Sequence, residues 1–288
     1  MGGVTPQFVV AVGDNFYNDG IELDSPSTSK NPSKRFKHTF EDVYTAASLQ
    51  VPWHVIAGNH DHKGSVAAQI DYSNSSARWH FPDYYYTFTK SFTSDAGTPI
   101  DVQFVMIDTV LLSGLSADDD VDVPFVKPDA VVAAKQWQWI QATLNASTAD
   151  WLIVAGHYPV WSVGNHGPTP DLVQSLDPLL KKYGVSLYLS GHEHNVEFLR
   201  GSLDYIVTGA GHELEYSKKT LGMLPSNVQL RYYYPPSANF QSGDGMFTFM
   251  QVFDENTLNT TYIDINGNAR ATITTTNRRM HNKKRSAF

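Results

Sequence analysis

The sequence predicts an α/β domain, because short apolar runs rich in β-formers alternate with helical patterns along its 288 residues. No internal repeat, long linker or low-complexity block breaks the alternation. Several of the apolar runs also end in a glycine followed by a residue able to bind metal, which places a polar cluster at the strand ends. The expected organisation is one domain over residues 1–288, closed by a short basic tail at about 278–288.

Taken in order, Phe8–Val12 (FVVAV), Val51–Ala57 (VPWHVIA), Val102–Ile107 (VQFVMI), Trp151–Ala155 (WLIVA) and Val185–Ser190 (VSLYLS) read as buried strands. Tyr205–Thr208 (YIVT) and Phe247–Phe253 (FTFMQVF) follow, and Thr260–Ile265 with Ala271–Thr275 form a later, more alternating pair. A helix is expected from about Asp129 to Leu144, where Ala133, Trp137, Ile140 and Leu144 make one apolar stripe behind a Pro-Asp start. Trp137 and Trp139 belong to its packing. A second helix covers Asp171–Tyr183 and closes at Gly184. Lys30–Lys37 and Ser113–Lys127 look like exposed loops, the latter carrying Asp118, Asp119 and Asp120, a solvated run or a flap beside the site. Arg278, Arg279, Lys283, Lys284 and Arg285 read as a frayed, solvated end.

The composition narrows the function. Apolar residues make up 41% of the chain, enough for a sizeable core, and no apolar run is long enough to span a bilayer as a helix. The opening MGGVTPQFVVAVGDN lacks the basic start of a secretory signal. A net charge of −8 argues against nucleic acid as the main partner, although bound cations can still make a local anion site. With no cysteine, disulfides, thiolate metal sites and cysteine nucleophiles are excluded, so any metal is held by oxygen and nitrogen. That donor set suits iron, zinc, manganese or magnesium. Sequons at Asn74, Asn145 and Asn259 permit glycosylation on a secretory route.

The chemistry lies in four strand endings. FVVAV runs into Gly13-Asp14-Asn15-Phe16-Tyr17, VPWHVIA into Gly58-Asn59-His60-Asp61, WLIVA into Gly156-His157, and VSLYLS into Gly191-His192-Glu193-His194. Glycine lets the backbone bend sharply after a strand, so the next side chain can enter the crevice at the carboxyl ends. Any one such turn has an ordinary reading as a turn or a hydrogen-bonded core histidine. Four of them bring Asp14, Tyr17, Asn59, His157, His192 and His194 toward one place, a donor set of the right size for two metal ions.

GDNFY, GNHD, AGHYP and GHEHN resemble four of the five signature blocks of the purple acid phosphatases, within the calcineurin-like metallophosphoesterases. VPWHVIAGNHDHKG, VAGHYPVWS and NHGPTPDLV are similar to the small, tartrate-resistant type in particular. The resemblance implies a β-sandwich of two mixed sheets flanked by helices, and an acid phosphatase that hydrolyses phosphate monoesters with a dinuclear centre and metal-activated hydroxide. It implies that Asp14 bridges the metals, that Tyr17 and His194 bind Fe(3+), and that Asn59, His157 and His192 hold a divalent ion, Fe(2+) or Zn(2+), with Mn(2+) also admissible. His60 and His166 would contact the substrate phosphate and help protonate the leaving alkoxide, while Asp61 and Glu193 would be structural or stand behind the metal ligands. It further implies a monomer, secreted or lysosomal/vacuolar when full length, acting on small phosphorylated substrates or phosphoproteins.

Two departures qualify the resemblance. The family's first block, an Asp-x-Gly at the end of the first strand that supplies a further ferric ligand, has no counterpart, so the chain is expected to be N-terminally truncated, without signal peptide and first strand. The small type's usual disulfide is absent with the cysteines. The alternatives are a phosphodiesterase using the same site and a non-catalytic fragment that binds metal or phosphate. Resemblance to the small type also raises proteolytic activation within 113–127, which the sequence leaves open.

Overall fold

A computed structural model describes residues 3–22, 32–116, 126–239, 244–277 and 279. Three hydrogen-bonded sheets organise it. The first joins β1 (Val9–Ala11), β2 (Trp53–Val55) and β3 (Trp79–His80) in parallel. The second is mixed and has seven strands: β4 (Tyr86–Thr93), β5 (Pro99–Met106), β6 (Trp151–Ala155), β7 (Leu187–Ser190), β8 (Val196–Arg200), β9 (Asp204–Thr208) and β10 (Gln229–Tyr234). Their order is β10-β8-β9-β7-β6-β5-β4, with β5, β6, β7 and β9 parallel. The third is the antiparallel meander β11 (Met246–Val252), β12 (Thr257–Asp264) and β13 (Ala269–Thr276).

Strand alternation fixes the layers, since successive side chains point to opposite faces. On β6, Trp151, Ile153 and Ala155 face one apolar core, while Leu152 and Val154 face another. The first core lies between the seven-stranded sheet and a second β layer made of the two smaller sheets, and includes Val10, Val12, Met246, Leu258 and Tyr262. The other packs the far face of the large sheet against α5 (Ala130–Ala146), the π-turn Leu172–Leu176 and α6 (Asp177–Lys182), through Ile140, Leu144, Leu172, Leu176 and Leu180. On β1, Val9 and Ala11 turn outward to a third core around Phe16, Phe36, Phe40 and Trp79. The result is a β-sandwich flanked by helical segments. Its second layer is divided: β1 is an edge strand beside a cavity of about 750 Å³ whose lining includes Phe104, Ile153, Ile206 and Phe249.

The expected strands all appear, most with ends shifted by one to three residues in either direction. β3, β4, β8 and β10 were not anticipated, because their half-exposed or polar-interrupted sequences carry no continuous apolar run. The long helix begins at the Asp129 cap, whose Oδ1 accepts from the amides of Val131 at 2.8 Å and Val132 at 3.0 Å. Trp137 and Trp139 are half-buried against the helix-side core, as expected. The second helix closes before Gly184, which takes φ +65°.

Three loop expectations are corrected. Pro32–Phe36 is helical (α1) and continues into a π-turn at Lys37–Glu41, because Phe36 is buried and stacks on Tyr72 at 3.8 Å. Within Ser113–Lys127, Ser113 is buried at the end of α4 (Thr109–Ser113), and Leu115 bridges Val126. The acidic run Asp118–Asp120 and any cleavage point between 117 and 125 lie outside the described residues. Of the basic tail, Arg279 is not solvated: it is 6% exposed and its Nη2 donates to the Ser147 carbonyl at 2.6 Å. The tail residues Arg278, Lys283, Lys284 and Arg285 lie outside the described residues. No helix among the described residues is long and apolar enough to cross a membrane.

Candidate metal centre

Two of the four glycine turns leave the three-stranded parallel sheet and two leave the seven-stranded sheet, so the site forms across the two β layers. Gly13 takes φ +95°, and Asp14 and His192 take φ +53° and +68°, values that non-glycine residues seldom adopt. The strain turns both side chains into the crevice. Gly58 is needed for close approach, because a Cβ there would lie 2.2 Å from Asp14 Oδ1. Next to it, α2 (Asn59–Lys63) presents Asn59, whose backbone and side chain are fully buried.

The side chains meet closely. Asp14, His157 and His192 offer donor atoms that all lie within 4.8 Å of one another. His157 Nε2 stands 2.8 Å from Asn59 Oδ1 and 3.3 Å from Asp14 Oδ2. Tyr17 donates its hydroxyl to Asp14 Oδ2 at 3.1 Å and lies 3.3 Å from His194 Nε2. His60 and His166 lie beside the cluster, against different members of it. The His60 ring is 4.5 Å from Tyr17 and its Nδ1 is 2.6 Å from the Asn18 carbonyl, while the His166 ring is 4.2 Å from His192. All eight residues anticipated from the sequence therefore come together.

These donors suit metal ions. His157 Nδ1 is 2.8 Å from the Val12 carbonyl, an acceptor, so Nδ1 carries the proton and a neutral ring turns an acceptor lone pair at Nε2. That lone pair faces two more acceptors, Asn59 Oδ1 and Asp14 Oδ2. Converging acceptors are resolved by a cation, or by a second proton on the ring. Donors that share an ion at about 2.1 Å lie roughly 3.0–3.4 Å apart, close to the separations here. The His157 contact with Val12 is also the outer hydrogen bond that orients a ligating imidazole.

The electrostatics follow the same geometry. Burial alone pushes the Asp14 carboxyl up, but the charge and hydrogen bond of His157 outweigh it and hold the carboxyl well below the usual range. Burial likewise disfavours charge on His157, and Asp14 reverses it, so that pKa is raised. His192, buried and beside His166 and His157, is driven well below an ordinary histidine. His194 falls as well, through burial and then His212.

Two carboxylates expected to be structural hold the turns in place. Asp61, fully buried, accepts from Gly58 N at 2.8 Å, Asn15 N at 3.1 Å, Asn15 Nδ2 at 3.1 Å and Gln69 Nε2 at 2.8 Å, tying the first turn to the second. Burial and the Asp14 charge push its carboxyl up to about 6. Glu193 is buried on the far side. One residue of the site escaped the sequence reading: His212, whose ring lies 4.2 Å from Tyr17 and 5.8 Å from His194. Its signal was present, since β9 also ends in a glycine turn, Gly209-Ala210-Gly211, ahead of the histidine.

Comparison with known proteins agrees with this architecture. The calcineurin-like phosphoesterase family model matches residues 3–196. Human tartrate-resistant acid phosphatase type 5 is 40% identical over 263 residues, covering 90% of this chain and 76% of its own length. Among solved structures, GAP50, the anchor in the inner membrane complex of Plasmodium, superposes with a TM-score of 0.74 at 24% identity, covering 98% of this chain and 84% of that one. The purple acid phosphatase PPD1 of yellow lupin seeds gives a TM-score of 0.56 at 17% identity, covering 93% and 46%. By the extent of the family match and the identity to an acid phosphatase over most of both chains, this protein belongs to the calcineurin-like phosphoesterase family.

Proposed function

We propose that this chain is an acid phosphatase that hydrolyses phosphate monoesters at a dinuclear metal centre. The observation that carries the reading is the convergence of acceptor atoms from Asp14, Asn59 and His157, with His192, Tyr17 and His194 beside them. Asp14, Tyr17 and His194 suit Fe(3+), a hard ion that favours carboxylate and phenolate oxygen. Asn59, His157 and His192 suit Fe(2+) or Zn(2+), with Mn(2+) admissible, and Asp14 lies between the two sets. When bound, such a pair supplies Lewis acidity toward the phosphoryl group and a nucleophile drawn from water.

The chain's own groups do the rest. His60, beside Tyr17, and His166, beside His192, stand next to the donor set, which supports a role for both in holding the substrate phosphate. His60 is fixed by the Asn18 carbonyl, and its amide donates to Asp14 Oδ1 at 3.0 Å, so it moves with the first turn. His166 delivers its imidazole proton to the leaving alkoxide oxygen as the P–O bond breaks. A group that gives a proton to the leaving oxygen in the rate-limiting bond cleavage favours an acidic optimum.

The net charge of −8 favours small phosphorylated substrates or phosphoproteins over nucleic acid. We take the chain to be one domain and a monomer, secreted or lysosomal/vacuolar. Exposed sequon residues Asn74 and Asn145 favour that route, whereas Asn259 is engaged in the meander through Thr274. The test is turnover of p-nitrophenyl phosphate against bis-p-nitrophenyl phosphate at acid pH, in the wild type, Asp14→Asn and His157→Ala. Monoester turnover is expected in the wild type alone, with metal content falling in both variants. Retained activity in both variants sinks the assignment. Diester turnover alone points to a phosphodiesterase, and phosphate binding without turnover to a non-catalytic protein.

A further inference from the structure

The inference concerns Glu193, the residue between His192 and His194 in the β7–β8 turn, and it rests on the reading of His166 as the leaving-group acid. Its carboxylate does not face the donor cluster. It lies inside the loop 162–167, which carries His166. Oε1 accepts from Gly167 N at 2.7 Å and from Ser162 Oγ at 3.0 Å, while Oε2 accepts from Asn165 N at 2.9 Å. The two amides on either side of His166 thus end on one buried carboxylate, 1% exposed. Hydrogen bonds to a charged acceptor are about twice as strong as neutral ones.

The loop is shaped for this contact. A Cβ at Gly164 would lie 2.1 Å from Glu193 Oε2, so only glycine lets the backbone rest against the carboxylate. Gly167 takes φ +72°, and a Cβ there would lie 2.7 Å from Thr220 Cγ2. Thr220 Oγ1 in turn lies 3.2 Å from the carbonyl of Ser162 and 3.1 Å from that of Gly164, and its single proton is shared between them. The loop is therefore held by Glu193 on one side and Thr220 on the other. The backbone of Glu193 is fixed as well: its amide donates to Gly191 at 2.8 Å, and its carbonyl accepts from Asn195 at 2.7 Å.

We infer that Glu193 is a positioning residue that locks His166 to the His192–His194 turn, so that the leaving-group acid and the metal-facing imidazoles keep one spacing. Its side chain sets one loop and its backbone the other. Glu193→Gln removes the charge and turns an amide donor toward backbone donors, which frees the loop without emptying the space.

The test combines kinetics with an independent structural readout. In Glu193→Gln, kcat on β-glycerophosphate, an alkoxide leaving group that needs a proton, is expected to fall at least ten times more than kcat on p-nitrophenyl phosphate, whose leaving group does not. Metal content should stay unchanged, and adding His166→Gln should bring little further loss. An equal fall on both substrates, or losses that multiply in the double variant, overturns the inference. In ¹⁵N-resolved spectra the Asn165 and Gly167 amide protons should move upfield in Glu193→Gln. If they stay, the clamp is wrong whether or not the protein turns over. If they move in a protein that hydrolyses neither substrate, the clamp stands and the phosphatase reading fails. Should Glu193→Gln not fold, Glu193→Asp keeps the charge but withdraws it by one methylene, and smaller shifts in the same direction are expected. Unchanged shifts there also overturn the inference.

Discussion

Replacing Glu197 with glutamine should make the fold more stable at neutral pH than at acid pH, relative to the wild type. Glu197 lies on β8, fully buried, and Ser162 Oγ stands 3.0 Å from both its Oε1 and the Oε1 of Glu193. A hydroxyl has one hydrogen to give, so the second of these bonds needs a proton on a carboxyl. Burial first, then the charge of Glu193, push Glu197 up to about 7 from 4.5, which identifies it as the carboxyl that holds the proton. The sign follows from linkage. Below pH 4.5 the group is protonated in both states and costs nothing. Between 4.5 and 7 the unfolded chain releases the proton while the folded one keeps it, so stability falls as pH rises, and above 7 the loss is complete. At about 1.4 kcal/mol per pH unit, the interval amounts to ~3 kcal/mol. Glutamine cannot ionise, and Asn195 Oδ1, which has no hydrogen-bond partner among the described residues, can accept from the new amide after a turn of the Asn195 side chain. Urea unfolding at pH 4.5 and pH 7.5 measures the effect. The stability of Glu197→Gln minus that of the wild type should rise by ~3 kcal/mol between the two pH values. A constant difference would refute the assignment of the proton to Glu197.

The remaining predictions concern the two turns that carry Asp14 and Asn59. Gly58→Ala should lose bound metal and hydrolysis together, since its Cβ would lie 2.2 Å from Asp14 Oδ1 and 2.5 Å from Asp14 N; elemental analysis showing full metal content would refute this. Asp61→Ala strands the buried amide of Gly58 and the partly buried amide of Asn15, at roughly 1–3 kcal/mol for the buried one, so its urea midpoint should fall below that of the wild type. An unchanged midpoint would mean that the two turns are held by something other than that carboxylate.

The positions of the main strands along the chain were readable because their signals are local. WLIVA is β6 without adjustment, and Asp129 caps the long helix where the Pro-Asp pair places its start. The site was readable for the same reason. Each strand–glycine–ligand unit spans a few residues, and the general rule that strand ends converge is enough to assemble Asp14, Asn59, His157 and His192. Local signals failed where neighbours distant in sequence decide. Lys34, Arg35 and Lys37 look like a charged loop, yet Phe36 between them finds Tyr72 and Trp79, and the segment winds into a helix. Arg279 looks like a frayed cation until Ser147, 132 residues away, takes its guanidinium.

The sequence by itself determined the fold class, the oxygen- and nitrogen-rich character of the crevice and eight of the residues that meet there, because strand periodicity and glycine turns act over a few residues. Only the tertiary structure decided what those residues face. His157 meets the Val12 carbonyl across 145 positions, Asp61 holds Asn15 across 46, and Glu193 encloses the His166 loop across 26 and 28. A buried charge must find its partners wherever the fold brings them, and no spacing within the chain records that choice.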